Sequence, residues 1–123
     1  MSGDDQGLDY LLDLHGELRY LEGGAWFYKI EARRVKLSES VPHGVRYSLT
    51  LHRSSGERVL GYDNVRHKAR SGKQRFAGRR VEWDHRHEHS RVFDYHFVSA
   101  YQLLSDFFAD IDRIMEDSEG DST

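Results

Sequence analysis

The stretch VRYSLTLH, residues 45–52, decides the fold class, because Val45, Tyr47, Leu49 and Leu51 alternate with Arg46, Ser48, Thr50 and His52. Period-two alternation puts the apolar set on a buried face and the polar set on a wetter one, as in an antiparallel strand covered on one side. Ser54-Ser55-Gly56 then supplies a turn, and Arg58 to Tyr62 reads as the returning strand, ending in Asp63-Asn64. Upstream lies the only proline, in Val41-Pro42-His43-Gly44, a turn in which His43 is a turn residue. Before that, Trp26, Tyr28, Ile30 and Ala32 share a face, and a slip in phase at Arg33-Arg34 predicts a bulge or strong twist. Gly23-Gly24 joins this long arm to Glu17–Glu22 as a hairpin, since glycine accepts the positive φ of tight turns. Leu8 to Leu14 alternates as a strand would, although Leu8, Leu11 and Leu12 also fit one helical face; a strand is the reading adopted.

Downstream, residues 66–80 lack a hydrophobic pattern and read as an exposed basic loop. Alternation resumes at Val81 to His89, with Trp83, His85, His87 and His89 on one face, and at Val92 to Val98, with Phe93, Tyr95 and Phe97 together. After Ser99, a predicted N-cap, Leu104, Phe107, Phe108, Ile111, Ile114 and Met115 recur at steps of three and four, predicting an amphipathic helix over Ala100–Glu116. The expected architecture is α+β: a curved antiparallel sheet of about five or six strands with the long C-terminal helix packed on one face. Residues 1–7 read as a disordered start, 8–116 as a single domain and 117–123 as an acidic flexible tail.

The charge is segregated. From Arg66 to Arg91 there are nine Lys/Arg against three acids, a formal +6, so the rest of the chain carries −9 to reach the net −3. A basic, histidine-rich stretch in an otherwise acidic small protein suits an anionic ligand, phosphate first. The absence of cysteine excludes disulfides, thiolate metal sites and a cysteine nucleophile. The N-terminus shows no signal-like apolar run and no stretch is long enough to span a bilayer, so the expected location is cytoplasmic, without a membrane partner.

Several motifs in order carry a family likeness: HGVRYSLTLH (43–52), GYDNVRH (61–67), WDHRH (83–87), a Tyr-X-Phe strand (95–97) and LLSDFFADIDRIM (103–115). Together they resemble the TumE-type toxins, small bacterial and archaeal proteins typically encoded beside a helix-turn-helix antitoxin, over roughly residues 8–116. The likeness implies a growth-inhibiting toxin silenced by that protein partner and acting on RNA. The basic segment Lys68–Arg80 is longer than the corresponding connection in some members.

The residues themselves suit an endoribonuclease. Histidine moves protons near neutrality, and His85 and His87 share a strand face, so one could act as base and the other as acid, with His67 arriving from another strand end. Asp63 or Asp84 could orient an imidazole; Lys68, Arg70, Arg79, Arg80 and Arg86 could hold phosphate; Tyr62 or Trp83 could stack on a base. The same Asp63, His67, His85 and His87 would also serve as ligands for a divalent metal in a phosphodiesterase, so a metal-free and a metal-dependent site both stand. A non-enzymatic binding module is the third reading. In the blandest one the histidine row is a solvated hairpin face, Asp63-Asn64 is turn chemistry, and Trp26 and Trp83 are core. Spacing does not choose among these, nor does it set the oligomeric state.

Overall fold

The computed structural model describes residues 7–39, 41–64 and 84–121. A short helix α1 (Leu8–Asp13) leads into strands β1 (Glu17–Leu21), β2 (Trp26–Arg34), β3 (Val45–Arg53), β4 (Arg58–Asp63), β5 (His85–Glu88) and β6 (Arg91–Asp94), and helix α2 (Ala100–Asp121) follows. The strands form one six-stranded sheet in the order β1-β2-β3-β4-β5-β6, every neighbouring pair antiparallel. The α+β class and the strand count accord with the sequence. The curvature does not: the sheet is an open meander with β1 and β6 as separate edges. No bulge forms at Arg33-Arg34, because both residues pair in register with Arg46 and Val45. The irregularity falls instead between Leu51 and His52, where β3 meets β4.

One face of the sheet is the core. Trp26, Tyr28, Ile30, Ala32, Val45, Tyr47, Leu49, Leu51, Leu60 and Tyr62 are buried against Leu103, Leu104, Phe107, Ile111 and Ile114 of α2. Ser99 caps that helix, its Oγ accepting from the Gln102 N–H at 3.0 Å. The helix continues past Glu116 to Asp121.

The Leu8–Leu14 segment is a correction: it is helical, not a strand. Its sequence satisfies both periods, and tertiary contact decides. Leu11 is fully buried in the core, and Gly7, at φ 82°, starts the helix where an added Cβ would lie 2.9 Å from the Tyr101 backbone. Only glycine permits so close an approach in that conformation. The last strand is also shorter than expected. Beyond Asp94, Tyr95 adds one bond in the same register, its N–H to the Asp84 carbonyl at 2.9 Å, while its hydroxyl donates to Asp106 of α2 at 2.6 Å and Phe97 packs on the His43 ring.

Candidate functional site

The register assigns side chains to faces. Tyr62 pairs with Arg86 and Leu60 with Glu88 on the helix side, whereas Asp63 pairs with His85 and Gly61 with His87 on the opposite side. Asp63, His85 and His87 therefore meet on the sheet face that α2 does not cover. Asp63 and His87 are each only 7% exposed. The His87 Nε2 stands 3.2 Å from Asp63 Oδ2, within ion-pair distance but without the geometry of a hydrogen bond. The His85 ring lies 6.5 Å from that of His87, centroid to centroid, and is more accessible.

Asp63 owes its placement to its neighbour. Asn64 is buried just beyond β4, where its Oδ1 accepts from the Tyr47 N–H at 3.0 Å and its Nδ2 donates to the Val45 carbonyl at 2.8 Å. The amide side chain thus continues the ladder by one step and pins the end of β4 to β3. Arg46 adds a bond to the Asn64 carbonyl. The Asp63-Asn64 pair divides its work: Asn64 is structural and Asp63 faces the histidines.

A second His–Asp pair lies on the helix side. Buried Asp84 Oδ2 accepts from the Tyr47 hydroxyl at 2.7 Å and sits 3.1 Å from His43 Nε2, and the His43 ring stacks on Phe97 at 3.9 Å. Burial, reinforced by the Asp84 carboxylate, pushes the Tyr47 phenol far above its ordinary value, so it remains a donor. This cluster ties the turn before β3 to the start of β5 and thereby sets where His85 begins. From the sequence His43 reads only as a turn residue; its position directly ahead of the clearest strand was the available signal.

Arg86 is held away from the histidines. On the helix side it donates to Asp110 Oδ2 at 2.9 Å and pairs with Glu88; Arg113 reaches Glu88 at 2.9 Å, and the Tyr62 hydroxyl donates to Asp110 at 2.5 Å. The network locks β4 and β5 to α2, and Tyr62 is spent in it. Burial pushes the Asp110 and Glu88 carboxyls up, but hydrogen bonds outweigh it, from Tyr62 and Arg86 to Asp110 and from Arg113 and Arg86 to Glu88, and both end below the usual carboxylate range. A carboxyl depressed in the folded state stabilises the fold above its unfolded value, about pH 4, and that contribution fades as pH falls through the folded value. Asp110→Asn is therefore expected to lower the urea midpoint at pH 7 and to differ less from wild type at pH 3. An equal difference at both pH values would mean that the ion pairs contribute nothing.

Among the other sequence-predicted residues, His67, Lys68, Arg70, Arg79, Arg80 and Trp83 lie outside the described residues. His89 sits in the β5–β6 turn at φ 56° and is exposed, apart from the buried pair. Among the described residues no three His, Asp or Glu side chains converge to hold a metal ion; the set considered for one includes His67. No helix among the described residues is long and apolar enough to cross a membrane.

The likeness seen in the motifs holds over almost the full chain, since the family model described as Toxin TumE matches residues 8–115. The chain belongs to the TumE toxin family. Every described element from α1 to α2 begins within the matched span, so both His–Asp pairs are features of this TumE toxin's family domain. Membership also implies an antitoxin as partner of a TumE toxin. No curated protein and no solved structure matches the chain.

Proposed function

We propose that this TumE toxin is an endoribonuclease in which His87, backed by Asp63, and His85 carry out general acid–base cleavage. The observation that carries the proposal is the nearly buried His87–Asp63 contact at 3.2 Å on the sheet face opposite α2, with His85 two residues along the same strand. In this proposal His87, with Asp63 beside it, takes the proton of a 2′-hydroxyl. The O2′ then bonds to phosphorus as the P–O5′ bond breaks, and His85 gives its proton to the departing O5′. Rings 6.5 Å apart leave space for a phosphate between two groups that each need to come within about 3 Å of the atoms they serve. The products are a 2′,3′-cyclic phosphate and a free 5′-hydroxyl.

The test is induction of wild type and of a His85→Ala/His87→Ala variant, with growth followed and total RNA run on a gel. Arrest with RNA fragments in the wild type alone is expected. Arrest by both proteins with RNA intact would remove the catalytic reading in favour of a binding module. Purified wild type assayed with and without a chelator separates this chemistry from the metal-dependent phosphodiesterase: activity is expected to survive chelation.

A further inference from the structure

The sheet face opposite α2 carries a second set of groups that the sequence did not single out. Tyr20, Phe27 and His52 stand side by side across β1, β2 and β3. The Tyr20 and Phe27 rings are 5.3 Å apart, and Phe27 and His52 lie parallel within 5° at 4.7 Å. Tyr20 is 61% exposed. The His52 ring is set in place at both nitrogens, with Nδ1 3.1 Å from the Gly56 carbonyl and Nε2 2.9 Å from Thr50 Oγ1. A carbonyl only accepts, so Nδ1 carries the proton and, in the neutral ring, Nε2 accepts from the threonine.

Next to this ladder is Arg58. Its guanidinium lies over Gly61, with one nitrogen 3.5 Å from where a Cβ of that residue would be. The cross-strand partners of Gly61 are Thr50 on one side and His87 on the other. Facing residues in an antiparallel pair have Cβ atoms about 5 Å apart, so Arg58 occupies the gap between the ladder and the His87–Asp63 pair. Arg58 is exposed and has no carboxylate partner among the described residues, whereas Arg86 is committed to Asp110 and Glu88.

We infer that Arg58 together with the Tyr20–Phe27–His52 ladder is a subsite for single-stranded RNA, with a phosphate held by Arg58 beside His87 and a base stacked on the rings. Arg58 is the cross-strand partner of His52, so the His52 ring is the one nearest a phosphate held by Arg58, one strand spacing of about 4.8 Å across and about 7 Å along from Gly61, with Phe27 and Tyr20 each one further strand away. Rings take any base by stacking, and an arginine holds phosphate through paired N–H donors. This inference rests on the endoribonuclease reading and extends it to how substrate is held.

Affinity for a 2′-O-methyl single-stranded RNA, which the proposed chemistry cannot cut, is measured for the full chain over a range of salt. Arg58→Gln is expected to weaken binding and to make the slope of log affinity against log salt shallower by about 0.7, the value for one phosphate contact on a single strand. Arg58→Lys, which keeps the charge, restores the slope. Tyr20→Ala/Phe27→Leu is expected to weaken binding on the order of ten-fold with the slope unchanged. Wild type that cuts RNA while all variants keep its affinity and slope overturns this inference and leaves the nuclease reading standing. Wild type that neither binds nor cuts RNA overturns both. Variants that keep RNA affinity but lose the antitoxin assign the face to the protein partner and overturn the inference as well.

Discussion

His87→Ala is expected to lower RNA cleavage by about 10²–10⁴-fold, the usual contribution of a positioned proton-transfer group, while the protein stays folded. The ring is buried but lies outside the apolar core cluster, on the sheet face away from Phe107 and the other side chains of α2. Asp63→Asn separates charge from shape. It preserves the size of the side chain but removes the attraction for an imidazolium, so a smaller loss than His87→Ala is expected, confined to the chemical step. Single-turnover cleavage of a labelled RNA reads the rate, and urea denaturation of the same samples shows that the fold is intact. Wild-type rates in both variants would place the chemistry elsewhere, and His43–Asp84 would be the pair to examine next.

Phe107→Ala is expected to destabilise the domain by about 3–5 kcal/mol, the cost of deleting a buried aromatic ring and leaving a cavity. Phe107 is fully buried and sits at the centre of the helix–sheet interface, with edge contacts to Tyr28 of β2 and Tyr62 of β4 at 6.1 Å and a tilted contact to Phe108 at 5.4 Å. Removing it loosens α2 from both halves of the sheet at once. Since small domains are stable by only about 5–15 kcal/mol, the urea midpoint should fall steeply, and toxicity at growth temperature should fall with it. Val98→Thr, at a 66% exposed position, serves as the control and should change stability by no more than about 0.5 kcal/mol. Equal midpoints for the two variants would mean that α2 is not anchored through its apolar stripe.

The two variants act through different layers. Phe107 holds the sheet that presents the histidines, and His87 acts on what the sheet presents. Between them lie Asn64, which fastens the end of β4, and the Arg86–Asp110–Glu88 network, which fastens β5 to the helix. Cutting either fastening should cost activity through misplacement of Asp63 or His85 before it costs the fold.

Where local pattern carries the information, the sequence was sufficient. The alternation over Val45–Leu51 and the three-and-four spacing from Leu104 to Met115 determined a sheet covered by a C-terminal helix, because one buried face imposes its period on the chain. The same period placed His85 and His87 side by side. Other features depend on partners distant in the chain. Leu8–Leu14 suits a strand or a helix equally well, and the burial of Leu11 with the approach of Gly7 to Tyr101 made it a helix. No bulge forms at Arg33-Arg34, because both residues stay in continuous register with Arg46 and Val45 of β3. Register decided that Asp63 faces His87 and that Arg86 turns to the helix, and the irregularity between Leu51 and His52 put Arg58, two residues before helix-facing Leu60, on the histidine face over Gly61. A shift of one residue in pairing reverses every side chain on a strand, and that choice is made by the whole sheet, not by any segment of it.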